Sequence, residues 1–270
     1  MILTASAKIN LHLDIGPRRR DGYHSLKTVF QEVGLVDTLH FQLSASEIEL
    51  KIFPPGRLST GPDNLIVRAL VALQKKLKIK TGIRVHLTKR IPMGAGLGGG
   101  SSDAAAALWG GWLLWKGLKK KPKRVPPVLL SLASRLGADV AFFLKGGIAK
   151  GEGIGDKLTA LPPQPRRWLI LVYPRVHVPT PLAYRLLDNS RSSTRPSAKH
   201  FNSFEPVILK KYPAIAKAKQ ALLDLGCTGV MMSGSGSTVF GFVKTKKEGA
   251  RLLRSLRSRP WDCFLVHTLF

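Results

Sequence analysis

The sequence predicts a two-domain α+β protein on three observations. A loop at 94–100, five of its seven residues glycine, lies between a strand-like alternation and an alanine-rich stretch. The C-terminal part reads strand, helix, strand, strand, helix, strand, the split βαβ order of ferredoxin-like domains. The length of 270 residues fits one large domain or two small ones, at roughly 100–200 residues each. We place the boundary near Pro162, giving domains 1–160 and 161–270.

The elements follow in order. Residues 6–13 alternate Ala7, Ile9, Leu11 and Leu13 with polar residues, so they predict a strand with an amine, an amide and an imidazole along one face. Residues 24–33 predict a second strand. Leu39, Phe41 and Leu43 alternate, then Ile48, Leu50 and Ile52, with 44–46 as a hairpin connection between them. Asp63 or Asn64 can cap a helix running through Lys78, with Leu65, Ala69, Leu70, Leu73 and Leu77 on one stripe. Ile83, Val85 and Leu87 predict a strand that ends before Pro92, and Ser101, Ser102 or Asp103 is expected to cap the helix after the glycine loop. Residues 128–136 read as a helix stopped by Gly137. In the second part, 168–173, 227–232, 238–243 and 263–268 read as strands, a stretch within 206–225 and residues 246–257 as helices, and 190–197 as a surface loop.

Composition narrows the function classes. Lys and Arg number 43 against 16 Asp and Glu, a net charge of +27. The cations form runs at 116–124 and 244–259, of a kind that can hold nucleic acid or acidic lipid. No aromatic-studded nucleic-acid motif accompanies them, so a solvated basic surface is expected, with no specific nucleic acid and no membrane partner. Two cysteines build neither a disulfide framework nor a four-ligand zinc site. No signal-peptide pattern opens the sequence, and its longest apolar stretch, 104–115, falls short of the ~20 residues of a membrane span, so a cytoplasmic location is expected.

The glycine loop is the strongest chemical signal. Glycines let backbone N–H groups approach an anion, and the following helix adds its positive end. Pro92, Met93, Gly94, Ala95, Gly96, Leu97, Gly98, Gly99, Gly100, Ser101 and Ser102 therefore form a candidate site for a triphosphate or pyrophosphate. No Lys-Ser/Thr pair ends the loop, so it is not a Walker A loop. A dinucleotide fold would place an acid about 20 residues on, where Lys119 to Lys121 stand. The loop 233–238 is a second Ser/Gly loop, and Asp139 stands before an apolar run, either as a helix cap or as a partly buried base. No histidine pair has metal-motif spacing, and no metal ligand is assigned.

Three segments together resemble the GHMP kinase superfamily: Ala7 to Leu13, Pro92 to Asp103, and Gly229 to Thr238. Residues 16–24, 136–143 and 202–205 are similar to the branch of that superfamily acting on a CDP-linked methylerythritol; Ala141 stands where that branch has proline. The resemblance implies a GHMP fold, with an N-terminal ATP-binding and a C-terminal substrate-binding domain. It implies transfer of the γ-phosphoryl of ATP, with Mg²⁺, to the C2 hydroxyl, a step in non-mevalonate isoprenoid synthesis. Lys8 and Asp139 match the catalytic pair, and Asn10 a neighbouring polar residue. The resemblance places Asn64 with the ATP loop, and Tyr23, His24, Thr180, Tyr184, Ser235 and Gly236 with the substrate. Tyr23 and Tyr184 are expected to sandwich the cytosine, with His24 at its edge. A monomer or weak homodimer is expected. The alternatives are another small-molecule kinase of the superfamily and, from a different class, a basic RNA-binding protein.

Overall fold

The computed structural model describes residues 1–56, 58–190 and 201–270. The expected surface loop at 190–197 lies, apart from Ser190, outside the described residues. The elements in chain order are β1 (Ile2–Arg18), β2 (His24–Ser44), β3 (Ile48–Phe53), α1 (Leu65–Leu77), β4 (Gly82–Thr88), α2 (Gly99–Trp115), α3 (Pro127–Leu136), α4 (Ala138–Lys145), β5 (Ile148–Glu152), β6 (Lys157–Ala160), β7 (Trp168–Tyr173), α5 (Thr180–Asp188), α6 (Glu205–Lys211), α7 (Pro213–Asp224), β8 (Thr228–Met232), β9 (Val239–Val243), α8 (Lys246–Ser255) and β10 (Asp262–His267).

The chain clusters into two compact units that interleave along the sequence. One comprises residues 1–7, 35–91 and 98–146; the other 8–34, 92–97 and 147–270. The expected boundary at 160/161 falls inside the second unit.

In the first unit β3 pairs parallel with β4, and β4 antiparallel with residues 38–44 of β2. The expected hairpin at 44–46 is therefore a correction. Helix α1 carries the chain from β3 across to β4, and β4 takes the place beside β2. The core gathers α1, α2 and the inward faces of these strands, including Phe41, Leu70, Leu73, Val85 and Leu108. Helix α2 is buried almost all round, and its glycines permit this: a Cβ on Gly110 would stand 2.6 Å from the Phe41 ring, and one on Gly111 2.8 Å from Leu70. Asn64 caps α1 as expected, its Oδ1 accepting from Ile66 N at 2.9 Å. The cap expected from Ser101, Ser102 or Asp103 is a second correction: α2 begins at Gly99, behind a left-handed Gly98.

The second unit holds a four-stranded antiparallel sheet in the order β10-β7-β9-β8. With helices between β7 and β8 and between β9 and β10, this is the expected ferredoxin-like order. Its core joins Ile170, Val172, Val239 and Met232 to Ile208, Ile215, Leu222 and Leu252 of the helices. The stretch expected to hold one helix holds two, α6 and α7, because Pro213 starts the second. Residues 28–31 of β2 pair with β5, and β5 with β6, also in this unit. Both cysteines are free, and burial pushes each thiol up to about 11.

Candidate functional site

The glycine loop follows β4. Gly94, Gly96 and Gly98 take φ of 60°, 76° and 70°, so every second residue is left-handed. Such alternation turns successive N–H groups toward one side, a nest for an anion. Carbonyls at 95–97 are tied down in the second unit: Thr238 N donates to Ala95 O at 3.1 Å, Ser233 Oγ to Gly96 O at 2.9 Å and Lys8 N to Leu97 O at 2.9 Å. A Cβ on Gly96 would stand 2.1 Å from Ser233 O, so only glycine lets the two loops approach this closely. The Ser/Gly loop is thus the partner of the glycine loop rather than a free hairpin tip. In the first unit α2 starts at Gly99 with no side-chain cap, and Ser102 is buried in its first turns.

Lys8 and Asn10 share one face of β1, which is buried on both faces at residues 5–10. Lys8 Nζ donates to Asn10 Oδ1 at 2.7 Å, Asn10 Nδ2 to Thr28 Oγ1 at 2.7 Å, and Thr28 Oγ1 to His12 O at 2.7 Å. The relay fixes the Asn10 amide and the Lys8 ammonium; Lys8 is 5% and Asn10 2% exposed. Asp139 stands half-buried in the first turn of α4, where Gly137 is the N-cap, so it is not the cap that its position in the sequence allowed. Lys8 belongs to the second unit and Asp139 to the first.

The remaining expected substrate residues fall in the second unit. Tyr23 is 61% exposed in the turn after β1, while His24, the first residue of β2, is 8% exposed. His24 Nε2 lies 2.7 Å from Asp188 Oδ1, and its ring stacks on Tyr184 with centroids 5.0 Å apart. Phe204 meets Tyr184 edge-on at 5.0 Å. One face of Tyr184 is therefore taken by His24, whereas the expected sandwich gave that ring to the base. Thr180 Oγ1 and Ser235 Oγ are 3.1 Å apart, and Gly236 follows with φ 90°. Asn64, expected beside the ATP loop, spends its amide on the α1 cap and on Ser59 O at 2.6 Å.

Sequence reasoning did not find the roles of three groups. Asp188 has no motif; only its place four residues after Tyr184 on α5 brings it to His24. Asn202, fully buried, holds the Ser/Gly loop through Nδ2 bonds of 2.8 Å to Met232 O and Gly234 O. The third is the Asp37–Lys89–Asp103 cluster of the first unit, whose members stand far apart in sequence. Among the described residues no group of three or more His, Cys, Asp or Glu could hold a metal ion.

The chain resembles known proteins in both sequence and fold. Residues 64–147 match the GHMP kinases N terminal domain, and 184–262 the GHMP kinases C terminal domain. Proteins named 4-diphosphocytidyl-2-C-methyl-D-erythritol kinase align nearly end to end. That of Desulfitobacterium hafniense is 39% identical over 98% of this chain and 94% of its own, and that of Geobacter sulfurreducens 37% over 100% and 99%. A crystal structure of 4-(cytidine 5'-diphospho)-2C-methyl-D-erythritol kinase superposes with a TM-score of 0.83 at 34% identity, covering 99% of both chains. A homoserine kinase from Cytophaga hutchinsonii shares the fold, with a TM-score of 0.74 at 19% identity over 100% of this chain and 94% of its own.

Proposed function

We infer the reaction from the premise that this chain belongs to the 4-diphosphocytidyl-2-C-methyl-D-erythritol kinases of the GHMP kinase family. The protein is an ATP-dependent kinase. It phosphorylates the C2 hydroxyl of 4-(cytidine 5'-diphospho)-2-C-methyl-D-erythritol, giving the 2-phosphate and ADP, in the synthesis of isoprenoid precursors.

The observation that carries the phosphoryl chemistry is the glycine loop, with its alternate left-handed residues and its tied carbonyls. Phosphoryl transfer asks mainly for positioning and charge stabilisation. In our proposal the loop and the start of α2 hold the triphosphate through backbone N–H groups, from Pro92 to Ser102. Asp139 accepts the C2 hydroxyl proton as the oxygen bonds to the γ-phosphorus and the bond to ADP breaks. Lys8, its ammonium set by Asn10, offsets charge on the transferring group. Mg²⁺ carried in with ATP would neutralise charge on the phosphates.

For the cytidine we propose Tyr23 as the exposed platform and His24 as the edge reader. A carboxylate only accepts, so Asp188 fixes a hydrogen on His24 Nε2; in the neutral tautomer this leaves Nδ1 as an acceptor suited to the amino group of cytosine. Thr180, Ser235 and Gly236 lie on the same unit to meet the rest of the substrate. The proposal includes ATP binding within 1–160 and substrate binding within 161–270, apart from Asn10, Tyr23 and His24. It also has the protein act in the cytoplasm as a monomer or weak homodimer, on small molecules rather than a specific nucleic acid. Among the described residues no helix is long and apolar enough to cross a membrane.

The test is a coupled ATP-turnover assay offering the CDP-linked methylerythritol beside mevalonate, homoserine and galactose. Turnover with the CDP-linked substrate alone is expected; preference for any of the other three overturns the substrate assignment.

A further inference from the structure

Three ionisable side chains meet in the interior of the first unit. Lys89, just after β4, donates to an oxygen of Asp37 on β2 and to Asp103 Oδ2 on α2, the latter at 2.9 Å. Asp37 is wholly buried and Asp103 2% exposed. The other Asp37 oxygen accepts from the backbone N–H groups of Arg90 and Ile91, so it ties down the chain just ahead of the glycine loop. Lys89 also lies beside the start of α2: a Cβ on Gly99 would stand 2.9 Å from its Nζ. The cluster thus clamps both the approach to the loop and the helix that leaves it.

The charges do not balance. With both carboxylates ionised, one ammonium faces two negative charges, and Asp103 Oδ1 is buried with no hydrogen-bond partner. A proton on Asp103 restores a one-to-one pair. The helices packed on α2 bring other charged residues, Arg68, Lys75 and Lys76 on α1, Arg135 on α3, and Asp139 and Lys145 on α4. The groups that act on the Asp103 carboxyl are Lys89 and Asp37. Asp103 is four residues past Gly99, about 6 Å along the axis from the start of the helix. A polyanion at that start adds negative charge within the range over which partly desolvated charges act strongly.

We infer that the Asp37–Lys89–Asp103 cluster couples nucleotide binding at the start of α2 to uptake of a proton by Asp103, which makes Asp103 a positioning residue of the phosphate site. The proton comes from solvent and adds to the carboxylate; no bond of the nucleotide changes. The inference rests on the proposed placing of ATP at the glycine loop. Burial, with the Asp37 charge adding and Lys89 opposing, pushes the Asp103 carboxyl up to about 7, where such uptake is measurable.

The experiment titrates the full-length protein with the Mg²⁺ complex of a non-hydrolysable ATP analogue, by calorimetry in buffers of different ionisation enthalpy near pH 7.5. Wild type is expected to take up roughly 0.3–0.5 proton beyond that of Asp103→Asn. Its Kd should rise roughly tenfold between about pH 6.5 and 8.5, while that of the variant stays level. Should Asp103→Asn fold poorly, carboxyl ¹³C NMR of wild type decides, since only 16 acidic side chains are present. The Asp103 titration should move to higher pH when the analogue binds. Binding with equal proton uptake in both proteins, or an Asp103 titration unmoved by the analogue, overturns the coupling but leaves the nucleotide site standing. Absence of any binding removes the nucleotide site, and this inference with it.

Discussion

The His24 imidazole stacks on the Tyr184 ring, centroids 5.0 Å apart and planes 22° from parallel. With Asp188 at Nε2 and Phe204 edge-on behind Tyr184, the imidazole is held from two sides. In the proposed cytidine site Tyr184 therefore acts by aiming His24 as much as by offering a face of its own. Stacked aromatic side chains contribute roughly 0.5–1.5 kcal/mol beyond their area burial, so Tyr184→Ala should raise KM for the CDP-linked substrate roughly 2- to 13-fold. KM for ATP should hardly move, and Tyr184→Phe, which keeps the ring, should behave nearly as wild type. An equal rise in both KM values, or in neither, excludes this role.

Asp139 has the clearest kinetic signature. Asp139→Asn keeps the shape and removes the proton acceptor, and general bases typically contribute 10²–10⁴-fold. kcat should fall by that factor while the Kd for ATP changes little. Lys8→Met should also lower kcat strongly, and it leaves Asn10 Oδ1 without the ammonium it now accepts from. Near-normal turnover by Asp139→Asn would show that Asp139 only occupies the first turn of α4.

Gly96 joins the two loops. At φ 76° and with a Cβ position 2.1 Å from Ser233 O, a valine there must displace the Ser/Gly loop and also block the approach of a phosphate. Charge-assisted hydrogen bonds contribute about 1.5–3 kcal/mol each, so Gly96→Val should weaken ATP binding by roughly tenfold or more for every bond lost. The measurement is nucleotide Kd together with a melting curve; a folded variant with unchanged Kd removes the loop from the ATP site.

The glycine loop was legible because its signals are local: glycine content, spacing and the flanking strand and helix all lie in one stretch. The ferredoxin-like order was legible for the same reason, since period-2 and helical patterns alternate cleanly there. Strand β2 was not read whole. Val33, Leu35, Asp37, Leu39 and Phe41 all point inward in unbroken alternation, but an aspartate in an inward place reads as the end of a strand. Its justification, Lys89, lies on another element and is invisible to any local pattern. The supposed 44–46 hairpin failed on a similar point, because pairing of β3 with β4 is decided by the α1 crossover and not by the turn sequence. Asp188 and Asn202 were hidden because each acts on a residue distant in sequence.

The buried cluster predicts an unusual dependence of stability on pH. The Asp103 carboxyl is raised from 3.8 to about 7, first by burial, then by the Asp37 charge, with Lys89 opposing. A carboxyl raised on folding favours the native state most when protonated in both states, at pH below the unfolded value. As pH climbs from about 4 to about 7 the unfolded chain ionises while folded Asp103 keeps its proton, so stability falls. The slope is about 1.4 kcal/mol per pH unit, on the order of 4 kcal/mol over the window, and above about pH 7.5 it vanishes. Ion-paired carboxylates usually give the opposite trend. Asp103→Asn cannot titrate, so urea unfolding between about pH 5 and 8 should give wild type a falling profile and the variant one flatter by that slope. Parallel profiles for the two proteins would mean that Asp103 is ionised throughout, balanced by Lys89 alone.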